Sequence, residues 1–180
     1  MSDSLVSRGC PAVWVQEVDT GATLNADITN SALINNCGLD ISGGTVSLTN
    51  ATVTGNRGAV FGGVRVSPVN NATVNLKNTI LWGNRAPGTG ADLRMEGTAV
   101  VNADHSDIGD RLTVSGTFND LGGNIDADPR VKGPRRDVHL TPGSPAIDTG
   151  TCTGAPTTDF EGDPRPSGAG CDIGADEFVP

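Results

Sequence analysis

The chain has 180 residues, a net charge of −9, a third of its residues hydrophobic and only 3% aromatic. That length suits one compact domain, and so few large rings argue against a two-layer globule filled by aromatic side chains. The acidity excludes the clustered Lys and Arg that a nucleic acid needs, and it disfavours an anionic membrane surface.

The N-terminal run MSDSLVSRGC has neither a basic start nor an apolar core, so it is not read as an export signal. No apolar stretch approaches the ~18 residues of a membrane span. Residues 1–21 form a lead-in with one strand candidate, 12–18, whose Val13, Trp14 and Val15 are placed to cap whatever follows.

Residues 22–115 hold a repeat. ADITNSALINN begins at 26, VSLTNATVTGN at 46 and VNLKNTILWGN at 74, with a degenerate fourth copy from Val101. Apolar residues alternate with polar ones, as in half-buried strands. Ala26, Ile28, Val46, Leu48, Val74 and Leu76 are expected inward. Asn30, Asn50 and Asn78 turn a corner, because Asn tolerates left-handed backbone, and their amides would stack as a ladder. His105 takes the corner place in the fourth copy. Past the corner Leu33, Val53 and Leu81 point inward. A third strand shares the alternation in LDI at 39, VRV at 64 and LRM at 93, and Leu112 and Val114 are expected to continue those inward rows. Strands in register, joined by connections of unequal length, predict an all-β fold. It is a single right-handed parallel β-helix of about four short coils with an irregular C-terminal cap. Residues 116–180 lose the repeat and pack on the coils.

That last segment contains GNIDADP at 123, DVHLTPGSPAIDTG at 137, DFEGDPRP at 159 and CDIGADEF at 171. In these motifs and their order the chain resembles the C-terminal part of bacterial choice-of-anchor Q domain proteins, which have a pectin-lyase-like β-helix. The resemblance implies an exported or surface-associated protein of uncharacterised function. This chain departs from it in having no export signal and no anchoring segment before Pro180. The resemblance also implies a disulfide between Cys152 and Cys171. Cys10 and Cys37 either form a second bridge or stay as buried thiols. Asp148, Arg165, Asp172 and Glu177 are read as residues that hold the C-terminal loops together.

Two function classes follow. The first is a non-catalytic secreted or surface module contacting carbohydrate or protein. The alternative is a polysaccharide lyase or hydrolase working on an Arg-bearing face, with Asp40, Arg65 and Arg94 as its outward row. Bidentate guanidinium groups suit uronate carboxylates, yet the row reads more simply as surface ion pairs, Asp40 with Arg65. Thr29, Thr49, Lys77 and Asp104 form a second outward row, with Lys77 and Asp104 as a cross-strand pair. Ile34, Ile80 and Trp82 would make an outward apolar patch. It is either covered by residues 116–180, a subunit interface, or a sugar platform, with a β-helix end as another dimer surface. No cofactor is required. Ca²⁺ is a weak alternative at Asp159, Glu161 and Asp163, and Asp126 with Asp128 is a second acidic pair. Four Cys without a CxxC, and two His, argue against zinc. His105 and His139 are read as structural.

Overall fold

The structure is a computed structural model describing residues 1–7, 13–16, 24–67, 71–88 and 90–180. It is all-β, and no helix occurs among the described residues. The strands in chain order are β1 (Ser2–Ser7), β2 (Val13–Val15), β3 (Asn25–Ile34), β4 (Leu39–Ile41) and β5 (Thr45–Thr54). There follow β6 (Val64–Val66), β7 (Thr73–Lys77), β8 (Ile80–Trp82), β9 (Leu93–Met95) and β10 (Val100–Asp104). The last five are β11 (Asp107–Ile108), β12 (Arg111–Thr113), β13 (Thr117–Asp120), β14 (Val131–Gly133) and β15 (Asp137–Leu140).

Two parallel sheets take most of these strands, and the chain passes between them in turn. One is eight-stranded, with the path β1-β3-β5-β7-β10-β13 and with β5-β8-β11 continuing it beyond the corner. The other is five-stranded, β12-β9-β6-β4-β2. A small antiparallel pair, β14-β15, belongs to the C-terminal segment.

The register is the one the repeats specify. Ala26 pairs with Val46, Val46 with Val74 and Val74 with Val101. Beyond the corner Leu33, Val53, Leu81 and Ile108 align. On the smaller sheet Leu39, Val64 and Leu93 align, as do Ile41, Val66 and Met95. These rows form one apolar core between the sheets. At ~25 cal/mol per Å² of apolar area withdrawn from water, such rows drive the stacking without aromatic rings.

The corners also stand where expected. Asn30, Asn50, Asn78 and His105 have φ of 46°, 50°, 47° and 45°. The amide ladder is only partial, because Asn78 Nδ2 donates to Asn50 Oδ1 at 3.2 Å but no Asn30–Asn50 bond forms. The other amides turn toward the C-terminal segment: Asn30 donates to the Thr158 carbonyl at 2.6 Å and Asn50 to the Asp172 and Gly174 carbonyls. The continuous ladder is the other one, from the Asn that ends each repeat. Asn36 N–H donates to Asn56 Oδ1, Asn56 N–H to Asn84 Oδ1 and Asn84 N–H to Asp92 Oδ1. Each acceptor side chain takes an N–H from the pass before it and satisfies a buried amide that no strand partner reaches.

Three expectations are corrected. The stack is longer than four passes, because β1 pairs with β3 and β13 with β10, making six strands along the main path. At ~4.8 Å per strand that spans about 24 Å. The lead-in holds two strands where one is expected: β1, and β2, an end strand paired with β4 that falls within the 12–18 candidate, whose Ala12 and Val18 lie outside the described residues. Finally, Leu112 and Val114 do not continue the inward rows. Leu112 pairs with Arg94 and Thr113 with Met95, and Val114 is exposed. Asp92 sets this slip: its Oδ2 accepts Asp110 N–H at 2.9 Å, while the Asp110 carbonyl accepts from Asp92 and Leu93. A one-residue slip turns every side chain to the other face.

Candidate functional site

The outward row on the smaller sheet is Asp40, Arg65, Arg94, set side by side by β4, β6 and β9. Both arginines are already engaged. Arg65 donates from Nε and Nη2 to Glu96 Oε2 at 3.1 and 3.0 Å, and its Nη1 lies 3.4 Å from Asp40 Oδ2. Arg94 Nε donates to Glu96 Oε1 at 2.9 Å. Burial works against the charged form of Glu96, but the two guanidinium groups outweigh it and hold its pKa below the ordinary value. Glu96, just past β9, was not singled out in the sequence, and it closes the row into a two-Arg clamp on one carboxylate. A uronate would have to displace it. The second outward row also forms, with Lys77 Nζ 3.6 Å from Asp104 Oδ2.

Ile34, Ile80 and Trp82 lie on the far side of the corner, where the C-terminal segment covers them. Ile34 packs with Ala32, Val138 and Phe160. Ile80 packs with Leu140, Ala146 and Ile173, against Trp82, Ile147 and Phe178. Thr52 and Thr54, from the same face, are buried with their hydroxyls bonded: Ala175 N–H donates to Thr52 Oγ1, and Thr54 Oγ1 donates to the Trp82 carbonyl. Gly174 makes the close approach, since a Cβ there would stand 2.7 Å from Ile80 Cδ1, at a φ of 113°.

Charge holds this covering segment in place. Arg165, fully buried, reaches Glu177 Oε2 at 2.7 Å and donates to the Gly174 and Ala175 carbonyls. Glu177 accepts N–H groups from Ser167 and Asp172, and Asp172 accepts from Asp148 and Phe178. Burial pushes the Asp172 carboxyl up to about 6 despite those amides. The Cys152–Cys171 disulfide forms, with Cα atoms 5.3 Å apart. Cys37 is not a free thiol; Cys10, the partner considered for a second bridge, lies outside the described residues.

The structure does not gather Asp159, Glu161 and Asp163 into one ligand set. Asp159 is buried and uses Oδ1 to accept the N–H groups of Glu161, Gly162 and Asp163, each at 2.9 Å, and Oδ2 to accept Glu177 N–H. It shapes a turn. Glu161 instead joins His139 and Asp176, whose ligand atoms all lie within 4.8 Å of one another, the one such trio among the described residues. Burial alone would lower the His139 pKa, but Asp137 and Glu161 raise it to about 9. Residues so far apart in sequence carry no spacing signal, and His139 was readable only as part of an alternating strand.

Asp107 stands apart. It continues the covered row Thr52–Ile80, fully buried, with Ala127 N–H on Oδ1 and no partner for Oδ2. Burial, with Asp126 and Asp128 nearby, pushes its carboxyl up to about 7.

The half of the larger sheet before the corner keeps its outer face half-exposed. There Asp27, Ser47, Asn75, Asn102 and Asn119 form one row. Asn119 Nδ2 donates to Asn102 Oδ1 and Asn102 Nδ2 to Asn75 Oδ1, both at 2.8 Å. No family model, curated protein or solved structure matches the chain.

Proposed function

We propose that the two parallel sheets are walls of one right-handed parallel β-helix, and that the protein is a non-catalytic module contacting carbohydrate outside the cell. Strands of one sheet joined through a crossover are right-handed in nearly all proteins, which supports the handedness. The disulfide supports an oxidising compartment, and with it the kinship to choice-of-anchor Q proteins. The observation that carries the function is the Ser47–Asn75–Asn102–Asn119 row, a run of half-exposed polar side chains paired strand to strand. Beyond the bonds they make to one another, amides at ~4.8 Å intervals each keep an N–H and an oxygen lone pair, which vicinal hydroxyl groups can complement. Lys77 beside it is paired with Asp104 and the chain is acidic, so a neutral glycan suits it better than a uronate polymer.

A glycan array tests this, with Asn102→Ala as the control. Binding to neutral glycans that drops at least tenfold in the variant supports the reading. Binding that ignores the substitution, or none at all, overturns it. Light scattering on the same samples separates sugar binding from self-association through the outermost strands. Uronate polymers incubated with the protein are expected to yield no unsaturated product, because Glu96 occupies both arginines.

A further inference from the structure

His139, Glu161 and Asp176 come from three different places, and each is positioned by its own anchor. β15 turns Val138 and Leu140 down onto the larger sheet, so Asp137 and His139 face outward together. Asp137 Oδ1 accepts His139 N–H at 3.1 Å and contacts His139 Nδ1, which fixes the ring and presents Nε2. Glu161 rides on the turn that Asp159 ties, and its Oε2 lies 2.5 Å from Nε2. Asp176 is pinned through Oδ2 by Leu140 N–H at 2.7 Å, leaving Oδ1 to face the ring at 3.9 Å.

One N–H on Nε2 can serve one carboxylate only. Glu161 takes it. Asp176 Oδ1, on a side chain only 5% exposed, is left beyond hydrogen-bond reach. The Asp176 carboxylate, buried and aimed at the point that the exposed Glu161 carboxylate also faces, is costly there unless a cation joins the two. We propose that His139 Nε2, Glu161 and Asp176 are three ligands of a divalent transition-metal site of the Zn²⁺ class, with Asp137 as the residue that orients the imidazole. Bonds of about 2.0–2.2 Å would place neighbouring ligand atoms roughly 3.0–3.5 Å apart. Glu161 Oε2 then backs away from Nε2 and Asp176 Oδ1 moves nearer, each by under 1 Å, and Glu161 is an exposed side chain free to do so. An imidazole ligand favours Zn²⁺ over Ca²⁺. The carboxylate on the far ring nitrogen is the usual outer partner of a metal-bound histidine. Remaining coordination positions would face a cavity of about 240 Å³ bordered by Leu5, Ile34, Arg136 and Phe160.

The test is calorimetric titration of the chelator-washed full chain with Zn²⁺, repeated with Co²⁺ followed by visible absorption. One equivalent should bind, and Co²⁺ should show ligand-field bands of a low-coordinate site. Glu161→Gln, at an exposed position, and His139→Ala should each weaken binding by 10–100-fold, with Asp137→Asn at the low end of that range. Thermal melting without metal should leave Glu161→Gln within a few degrees of the parent, which assigns its loss to ligation. No stoichiometric binding, or binding unchanged in Glu161→Gln and His139→Ala, overturns the site.

Discussion

In residues 24–113 almost every buried side chain repeats its neighbour from the previous pass: Val46 lies on Val74, Leu48 on Leu76, Asn56 on Asn84. From 137 to 178 buried groups have no such counterpart, and the work falls to single polar contacts such as Arg165 with Glu177 or Asp172 with Asp148. The periodic part shares its cost over many equal contacts, so losing one leaves the rest in place. The aperiodic part concentrates it. One buried charge holds three chain segments together, and one glycine lets them lie flat on the sheet.

Arg165→Ala should break the comparison most visibly. It strands a fully buried Glu177 carboxylate and two carbonyls, a loss of about 3–5 kcal/mol. Hydrogen exchange should rise across 138–178 while 45–54 stays protected; uniform loss would mean the two regions fold as one.

Asp107 probes the seam between them. Its carboxyl titrates near 7 when folded, against 3.8 ordinarily, so between those values the native chain holds the extra proton. Stability through this group therefore falls as pH rises from about 4 to about 7 and is flat above. Asp107→Asn should gain about 2–4 kcal/mol more at pH 8 than at pH 4, read from denaturant melts at both. An equal gain at both would show that the charge is not the cause.

Replacing Cys152 and Cys171 by Ser opens a 19-residue loop and should cost about 3 kcal/mol, again with exchange rising first in the C-terminal segment. Asn50→Ala loses both its carbonyl contacts and a left-handed corner, about 2 kcal/mol. Asn50→Gly should recover part of this, and calorimetry on the pair separates backbone from amide. The smallest effect is expected from Arg94→Ala, at most about 1 kcal/mol, since that ion pair is partly solvated.

The periodic region was legible because period and register are sequence properties: 26, 46, 74 and 101 line up with no knowledge of the connections. Legibility failed where a single contact overruled the pattern. Asp92 moved β12 by one residue, and nothing in the ADLRMEG alternation around it announces that. β1 was missed because SDSLVS is polar and nearly exposed, so it lacks the apolar signal that a strand at the end of a stack does not need. The Arg165–Glu177 pair was readable through resemblance, and the trio around His139 was not readable at all, since its members share neither strand nor spacing.

The unequal connections have a practical meaning. Between β3 and β4 the chain uses 35–38, but between β5 and β6 it uses 55–63, and between β8 and β9 it uses 83–92, while the strands they join stay in step. Length is thus a free variable on that edge of the molecule. A foreign loop grafted between 58 and 61 would be displayed from a lattice of known pitch while the Gly58 N–H keeps its bond to the Arg85 carbonyl. The edge is a ready mount for inserted peptides.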